Sequence, residues 1–153
     1  MIVPAEGDFR LPTEADTADL GAALADALHK GEAICLTGPL GAGKSVLARA
    51  LIRALSPAEA EVPSPTFTLV QFYSGPHFPV AHFDLYRLKS AEEAFEIGLD
   101  EALHDGAAVI EWPERLGHHL PANRLDIEFE VDGDARRVRL TAHGAWEERA
   151  IDL

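Results

Sequence analysis

Gly38-Pro39-Leu40-Gly41-Ala42-Gly43-Lys44-Ser45 is the stretch on which the reading of this chain turns. It fits the pattern G-x-x-x-x-G-K-[ST], a loop that wraps phosphate. Glycines let the backbone close around phosphate oxygens with amide N–H groups pointing inward. A helix opening at Gly43 adds its positive N-terminus. Lys44 is the one cationic side chain of the loop and reaches the β- and γ-phosphates, while the Ser45 hydroxyl is a ligand for Mg²⁺. A pattern this short also arises by chance, as a glycine-rich turn with an incidental lysine, so its neighbours decide. Upstream, Ala33-Ile34-Cys35-Leu36-Thr37 is a compact apolar run of strand type. Downstream, Val46, Leu47, Ala50, Leu51, Ala54 and Leu55 recur at helical spacing. Strand, glycine loop and helix follow in the order the mechanism requires. The spacing predicts a nucleotide site.

Working outward, residues 8–11 read as a short edge strand. Thr13 with Asp16 three positions on starts a helix carrying Leu20, Leu24 and Leu28, and Gly31 supplies its stop. Residues 56–66 are a loop rich in Ser, Pro and Glu. Phe67–Tyr73 and Val80–Leu85 are strands joined by a Ser74-Gly75-Pro76 turn into an antiparallel hairpin. Ser90 caps a helix through Phe95 that ends near Gly98, and Leu99–His104 is a second short helix. Ala107–Ile110 suits a buried strand. Near the end, Leu125, Ile127, Phe129 and Val131 alternate with acidic residues, and after Asp132-Gly133 Val138 and Leu140 alternate with arginines. That is a hairpin with one wet face, and a two-residue Asp132-Gly133 loop sets Glu128 opposite Arg137 and Asp126 opposite Arg139. The fold is α/β, and residues 1–153 form one domain.

Composition bounds the rest. With 153 residues, 47% hydrophobic and 25% charged, the chain builds a core without staples. Cys35 is alone, which excludes an intrachain disulfide and a cysteine-based metal centre, and its apolar neighbours make it a small buried hydrophobe. No secretory leader is expected, and no run approaches the ~18 apolar residues of a membrane span; the expected location is the cytoplasm. The 26 acidic residues against 13 basic ones give a formal charge of −13. Between 92 and 114 stand Glu92, Glu93, Glu96, Asp100, Glu101, Asp105, Glu111 and Glu114, with no Lys or Arg. Such a surface repels a phosphate backbone, so independent nucleic-acid binding is not expected. It is either a solvated face or a docking surface for a basic protein.

A magnesium triphosphate calls for a carboxylate at the C-terminal end of a sheet strand. Asp84 ends Pro79-Val80-Ala81-His82-Phe83, and Glu111 ends Ala107-Ala108-Val109-Ile110. Glu111 follows the more apolar strand and ranks as the metal-side carboxylate. Asp84 then holds the outer shell of the metal or orients attacking water, and the two roles are exchangeable. In Ser64-Pro65-Thr66-Phe67-Thr68, the Thr66 hydroxyl either completes the magnesium shell while γ-phosphate is present, as a switch, or belongs to a proline-shaped entry to the next strand. Trp112 covers a nucleotide or fills the core. His82 points inward as a hydrogen-bonded core histidine, Arg87 reaches a phosphate or a carboxylate, and His118-His119 lie in a solvated loop. Asn123-Arg124-Leu125-Asp126 superficially imitates a guanine selector, but it begins a strand instead of following one. That favours ATP over GTP.

Together the phosphate loop, Ser64-Pro65-Thr66-Phe67-Thr68-Leu69-Val70, His82-Phe83-Asp84-Leu85-Tyr86-Arg87 and Val109-Ile110-Glu111-Trp112-Pro113-Glu114 resemble the TsaE (YjeE) family, the small bacterial ATPase of tRNA threonylcarbamoyladenosine synthesis. The resemblance runs from about Leu11 to Val131. It implies a P-loop NTPase-like three-layer fold with a central parallel sheet and antiparallel strands at the flanks. It also implies ATP, Mg²⁺ and the partners TsaD and TsaB, with hydrolysis supporting repeated transfer to adenosine 37 of tRNAs that read codons beginning with A. The tRNA is met only through the complex, and no membrane is involved. By this resemblance Lys44 is the phosphate lysine, Ser45 and Glu111 form the magnesium side, and Asp84 is the other functional carboxylate, also a metal candidate. Thr66 is the switch residue, and Trp112 lies near the nucleotide. Gly38, Leu40, Gly41, Ala42, Gly43 and Val46 complete the phosphate cradle, with Thr13 and Glu14 the candidates beside adenine. Ser45 stands where the family usually has Thr, and Phe67 where Tyr is frequent.

Two rival readings keep the phosphate loop and change its use. A small-molecule kinase needs an acceptor pocket and a basic lid. A nucleotide-sensing module would bind without turnover, which leaves Asp84, Glu111 and Thr66 without a purpose.

Overall fold

The computed structural model describes residues 1–58 and 61–153, so positions 59 and 60 of the expected 56–66 loop lie outside the described residues. The chain runs β1 (Ile2–Pro4), β2 (Gly7–Leu11), α1 (Glu14–Ala27), β3 (Ala33–Thr37), α2 (Lys44–Leu55), β4 (Val70–Tyr73) and β5 (Val80–Asp84). It continues through α3 (Glu92–Glu96), α4 (Leu99–Asp105), β6 (Ala107–Glu111), a 3₁₀ segment at Pro113–His119, β7 (Arg124–Asp132), β8 (Ala135–His143), a 3₁₀ turn at Gly144–Trp146 and β9 (Ala150–Asp152).

Among the described residues seven strands form one sheet in the order β2-β8-β7-β3-β6-β5-β4. β7, β3, β6 and β5 are mutually parallel, whereas β2, β8 and β4 join antiparallel at the flanks. Strand periodicity of two divides the side chains between two cores. Ile34 and Leu36 of β3, Val109 of β6 and Ile127 of β7 face α1 and α2, packing with Leu20, Leu24, Leu47 and Leu51. Ala33 and Cys35 of β3, Phe83 of β5 and Ile110 of β6 face the other way, onto Ala94 of α3 and Leu99 and Ala102 of α4. The result is the expected three-layer P-loop NTPase-like architecture. Burial pushes the Cys35 thiol far up, so it stays an uncharged hydrophobe. No helix among the described residues is long and apolar enough to cross a membrane.

Both ends are tied down. β1 pairs with β9. The Arg149 guanidinium grips buried Glu32 with two hydrogen bonds, Nη2 reaching Oε2 at 2.8 Å, and lies 4.5 Å from the Trp146 ring centroid. Fork-on-carboxylate geometry fixes orientation as well as charge.

Several expectations need correction. α1 ends at Ala27 with Leu28 as its cap, and Gly31 belongs instead to the turn into β3. The first strand of the middle hairpin begins at Val70, not Phe67. The Leu69 amide turns back to the Pro65 carbonyl at 2.7 Å, which winds 66–69 into a turn. α3 starts at Glu92 without a side-chain cap from Ser90, and Gly98 is the N-cap of α4. His118 and His119 close a 3₁₀ segment instead of an open loop. In the last hairpin Asp132 pairs with Ala135, so the turn residues are Gly133 and Asp134, and Glu128 faces Arg139 while Glu130 faces Arg137. Only Gly133 is left-handed there, at φ 61. Glycine at the first central position is the demand of a II′ turn, and it moves the register by two without exchanging the faces.

Candidate functional site

The loop between β3 and α2 is built from left-handed glycines, with φ of 132° at Gly38, 78° at Gly41 and 108° at Gly43. An L side chain is strained in all three conformations. At Gly38 the backbone also passes so close to β7 that an added Cβ would lie 2.7 Å from the Phe129 carbonyl oxygen. Gly43 is the N-cap of α2 and offers no side chain to cap it, and the first turn carries no acid. The first-turn amides and the positive end of the helix dipole are therefore uncompensated within the helix. Lys44 is buried, donates from Nζ to the Gly38 carbonyl at 2.6 Å and lies 4.5 Å from the Trp112 ring centroid.

Asp84 and Glu111 are register partners at the C-terminal ends of adjacent parallel strands β5 and β6. Counting back from them, Val80 and Val109 share their faces and pack toward the α1–α2 side, so both carboxylates lie on the side of the sheet where the loop closes. Each has one oxygen held by a protein donor. Oδ1 of Asp84 accepts from the Tyr86 amide at 3.1 Å, and Oε2 of Glu111 lies 2.7 Å from Nε2 of buried His82.

These groups line one cleft of about 340 Å³. The loop contributes Leu40, Gly41, Gly43, Lys44, Ser45 and Val46, the strand ends contribute Asp84 and Glu111, and Thr66, Trp112, Thr13 and Glu14 complete the set brought together by the fold. Gly38 takes part through its carbonyl. Ala42 is in the core with its amide donating to the Pro39 carbonyl at 3.2 Å, so neither residue is among the lining. Thr13 caps α1 reciprocally with Asp16: its Oγ1 accepts from the Asp16 amide, and its own amide donates to Asp16 Oδ2. Thr66 shares a 2.7 Å hydroxyl–hydroxyl hydrogen bond with Ser64. Leu69 and Trp112 are left-handed without being glycine, at φ 69° and 60°. Leu69 follows the Ser64–Thr66 wall and Trp112 follows Glu111, and strain of this kind concentrates at functional sites.

Leu11, Thr17, Ser64, Asp134 and Arg136 also line the cleft and were not anticipated. Arg136 Nη2 donates to the Gly41 carbonyl at 3.2 Å and Nη1 to the carbonyl of its neighbour Ala135 at 2.9 Å, which pins the β7–β8 hairpin over the glycine loop. The corrected hairpin register was the missing signal. Among the described residues Arg87 reaches neither phosphate loop nor carboxylate; its guanidinium lies 4.7 Å from the Phe67 ring centroid.

Carboxylates outnumber cations around the cleft. Ser45, Asp84 and Glu111 are hard oxygen donors, the set that Mg²⁺ takes when phosphates supply the remaining ligands. Among the described residues no three His, Cys, Asp or Glu side chains gather into a metal cage. The donor set fits a cation that arrives with a nucleotide.

Comparison with known proteins bears on the family and the fold. The profile of the family described as "Threonylcarbamoyl adenosine biosynthesis protein TsaE" matches residues 11–139. The tRNA threonylcarbamoyladenosine biosynthesis protein TsaE of Rickettsia bellii is 38% identical over 128 residues, covering 84% of this chain and 89% of its own. Its counterpart from Treponema pallidum is 39% identical, covering 80% and 90%. The crystal structure of Bacillus subtilis YdiB superposes with a TM-score of 0.74 at 27% identity, over 94% of this chain and 88% of that one. The chain belongs to the TsaE family of tRNA threonylcarbamoyladenosine biosynthesis proteins.

Proposed function

We propose that this chain is the Mg²⁺-dependent ATPase subunit of the bacterial assembly that makes threonylcarbamoyladenosine at position 37 of tRNA. In this reading residues 1–153 form one cytoplasmic ATPase domain that works with TsaD and TsaB and supports their repeated turnover. The observation that carries it is the meeting, in one cleft, of an uncapped helix N-terminus, Lys44, Ser45 and two strand-end carboxylates. Family membership supplies the pathway.

Backbone amides of the loop and the start of α2 receive the phosphate chain. Lys44 exchanges the neutral Gly38 carbonyl for an anionic phosphate oxygen, so that both partners of the hydrogen bond are charged. Trp112, against which the ammonium already rests, walls the site from solvent. Ser45, Glu111 and Asp84 would hold magnesium, which when bound neutralises charge on the transferring phosphoryl group. Glu111 stands on the metal side, Asp84 orients the attacking water, and Thr66 joins them from the 64–66 wall. In this conformation the guanidinium of Arg136 bonds the Gly41 and Ala135 carbonyls and that of Arg87 lies against Phe67, so neither is free as an arginine finger until the site rearranges. Hydrolysis by the isolated chain is therefore slow, and the partners complete the site. The charge of −13 keeps tRNA at a distance, so its contact runs through the partners.

Lys44→Ala tests this reading. Loss of a charged hydrogen bond of about 1.5–3 kcal/mol weakens ATP-analogue binding about 10- to 100-fold by calorimetry, and phosphate release falls to background. Unchanged hydrolysis would overturn the proposal.

A further inference from the structure

We propose that His82 is a positioning residue for Glu111, holding Oε2 of that carboxylate through a proton on Nε2 and leaving Oε1 as the oxygen presented to magnesium. The inference deepens the nucleotide reading and rests on it.

His82 stands two residues before Asp84 on β5, so both point to the α1–α2 side of the sheet, as does Glu111 on β6. Its ladder partners are Gln71 on β4 and Val109 on β6. His82 is 2% exposed and Glu111 6% exposed, with Nε2 and Oε2 2.7 Å apart. The other ring nitrogen, Nδ1, is buried without a hydrogen-bond partner among the described residues. A side chain that merely filled this space would be apolar, because an orphaned buried nitrogen costs free energy that leucine avoids. The orphan is tolerated because the opposite nitrogen makes a short bond to a carboxylate.

The tautomer follows from the same accounting. An ionised carboxylate only accepts, so the proton of the pair resides on Nε2. Nδ1 is then an unshared acceptor, which interiors tolerate better than an orphaned N–H donor. A glutamate side chain turns about three bonds, and at a strand end nothing in the backbone selects which oxygen faces a ligand. One fixed oxygen removes that freedom. Outer-shell partners of this kind typically change metal affinity or activity 10- to 100-fold.

The test uses the intact chain. Long-range ¹H–¹⁵N correlation spectra of the protein without nucleotide should place the His82 proton on Nε2; a proton on Nδ1 alone overturns the proposal. Calorimetry with a non-hydrolysable ATP analogue, in Mg²⁺ and in chelator, then gives the magnesium enhancement of binding. His82→Leu should lower that enhancement about 10- to 100-fold and leave chelator affinity unchanged. His82→Gln, whose amide donates to Glu111, should keep the enhancement within about threefold of wild type. Enhancement retained in His82→Leu, or lost equally in His82→Gln with an unchanged Tm, sinks the positioning role. Wild-type protein that binds no nucleotide sinks the broader nucleotide reading instead.

Discussion

Asp84 and Glu111 share a register position, yet their donors differ in kind: a backbone amide two residues ahead holds Asp84, and a side chain from the neighbouring strand holds Glu111. An amide in the same turn is fixed once the chain leaves β5. A histidine held across two strands depends on the sheet, so the Glu111 position is coupled to β5–β6 pairing. Removing the charge while keeping an acceptor separates electrostatics from scaffolding. Glu111→Gln still accepts from His82 and should leave ADP affinity within about threefold, while phosphate release falls about 10²-fold or more. Glu111→Ala also strands Nε2 of His82 in the core, so its Tm should fall with its activity, by about 1–3 kcal/mol of stability. Equal loss of ADP binding and hydrolysis in the glutamine variant would make Glu111 a structural group.

At the scale of elements, the parallel centre was legible because Ala33–Thr37, Val80–Asp84 and Ala107–Glu111 are short apolar runs that leave helices no room. The glycine loop and both strand-end carboxylates were legible for the same reason: each follows directly from the end of a strand. Phe67–Leu69 was misread because aromatic and β-branched residues favour strands, whereas a backbone bond from Leu69 to Pro65 wins locally. Arg136 was hidden because it lies more than ninety positions from the loop it touches, and only the true hairpin register brings it there. Gly106 is the element-scale residue most exposed to test. It caps α4, accepts from the Gly31 amide at 2.7 Å, and an added Cβ would fall 1.9 Å from the Pro79 carbonyl oxygen. A methyl group there forces the start of β5 away from β6. Gly106→Ala should cost about 1–3 kcal/mol and lower the Tm by several degrees. An unchanged melting curve would mean the junction yields freely.

Across the whole molecule, the acidic α3–α4 layer and the cleft occupy opposite sides of the sheet. The glycine loop opens toward the α1–α2 layer, while exposed Glu92, Glu96, Asp100, Glu101 and Asp105 belong to α3 and α4 on the other layer. Glu111 is the buried exception in that acidic run, because it leaves the surface to join the cleft. Acids spread over two short helices contribute little to folding, since exposed charges are well screened. Their effect is felt at longer range, in the rate at which an oppositely charged surface is met. Were this layer the docking surface for a basic partner in the proposed assembly, its charge would steer that encounter. Reversing Glu96, Asp100 and Glu101 to lysine should slow association about tenfold or more at low salt and flatten its ionic-strength dependence. Basal hydrolysis by the isolated chain should stay within about twofold, because none of the three residues lines the cleft. Stopped-flow association across a salt series reads both quantities, and an unchanged rate and slope would leave the acidic layer a solvated face only.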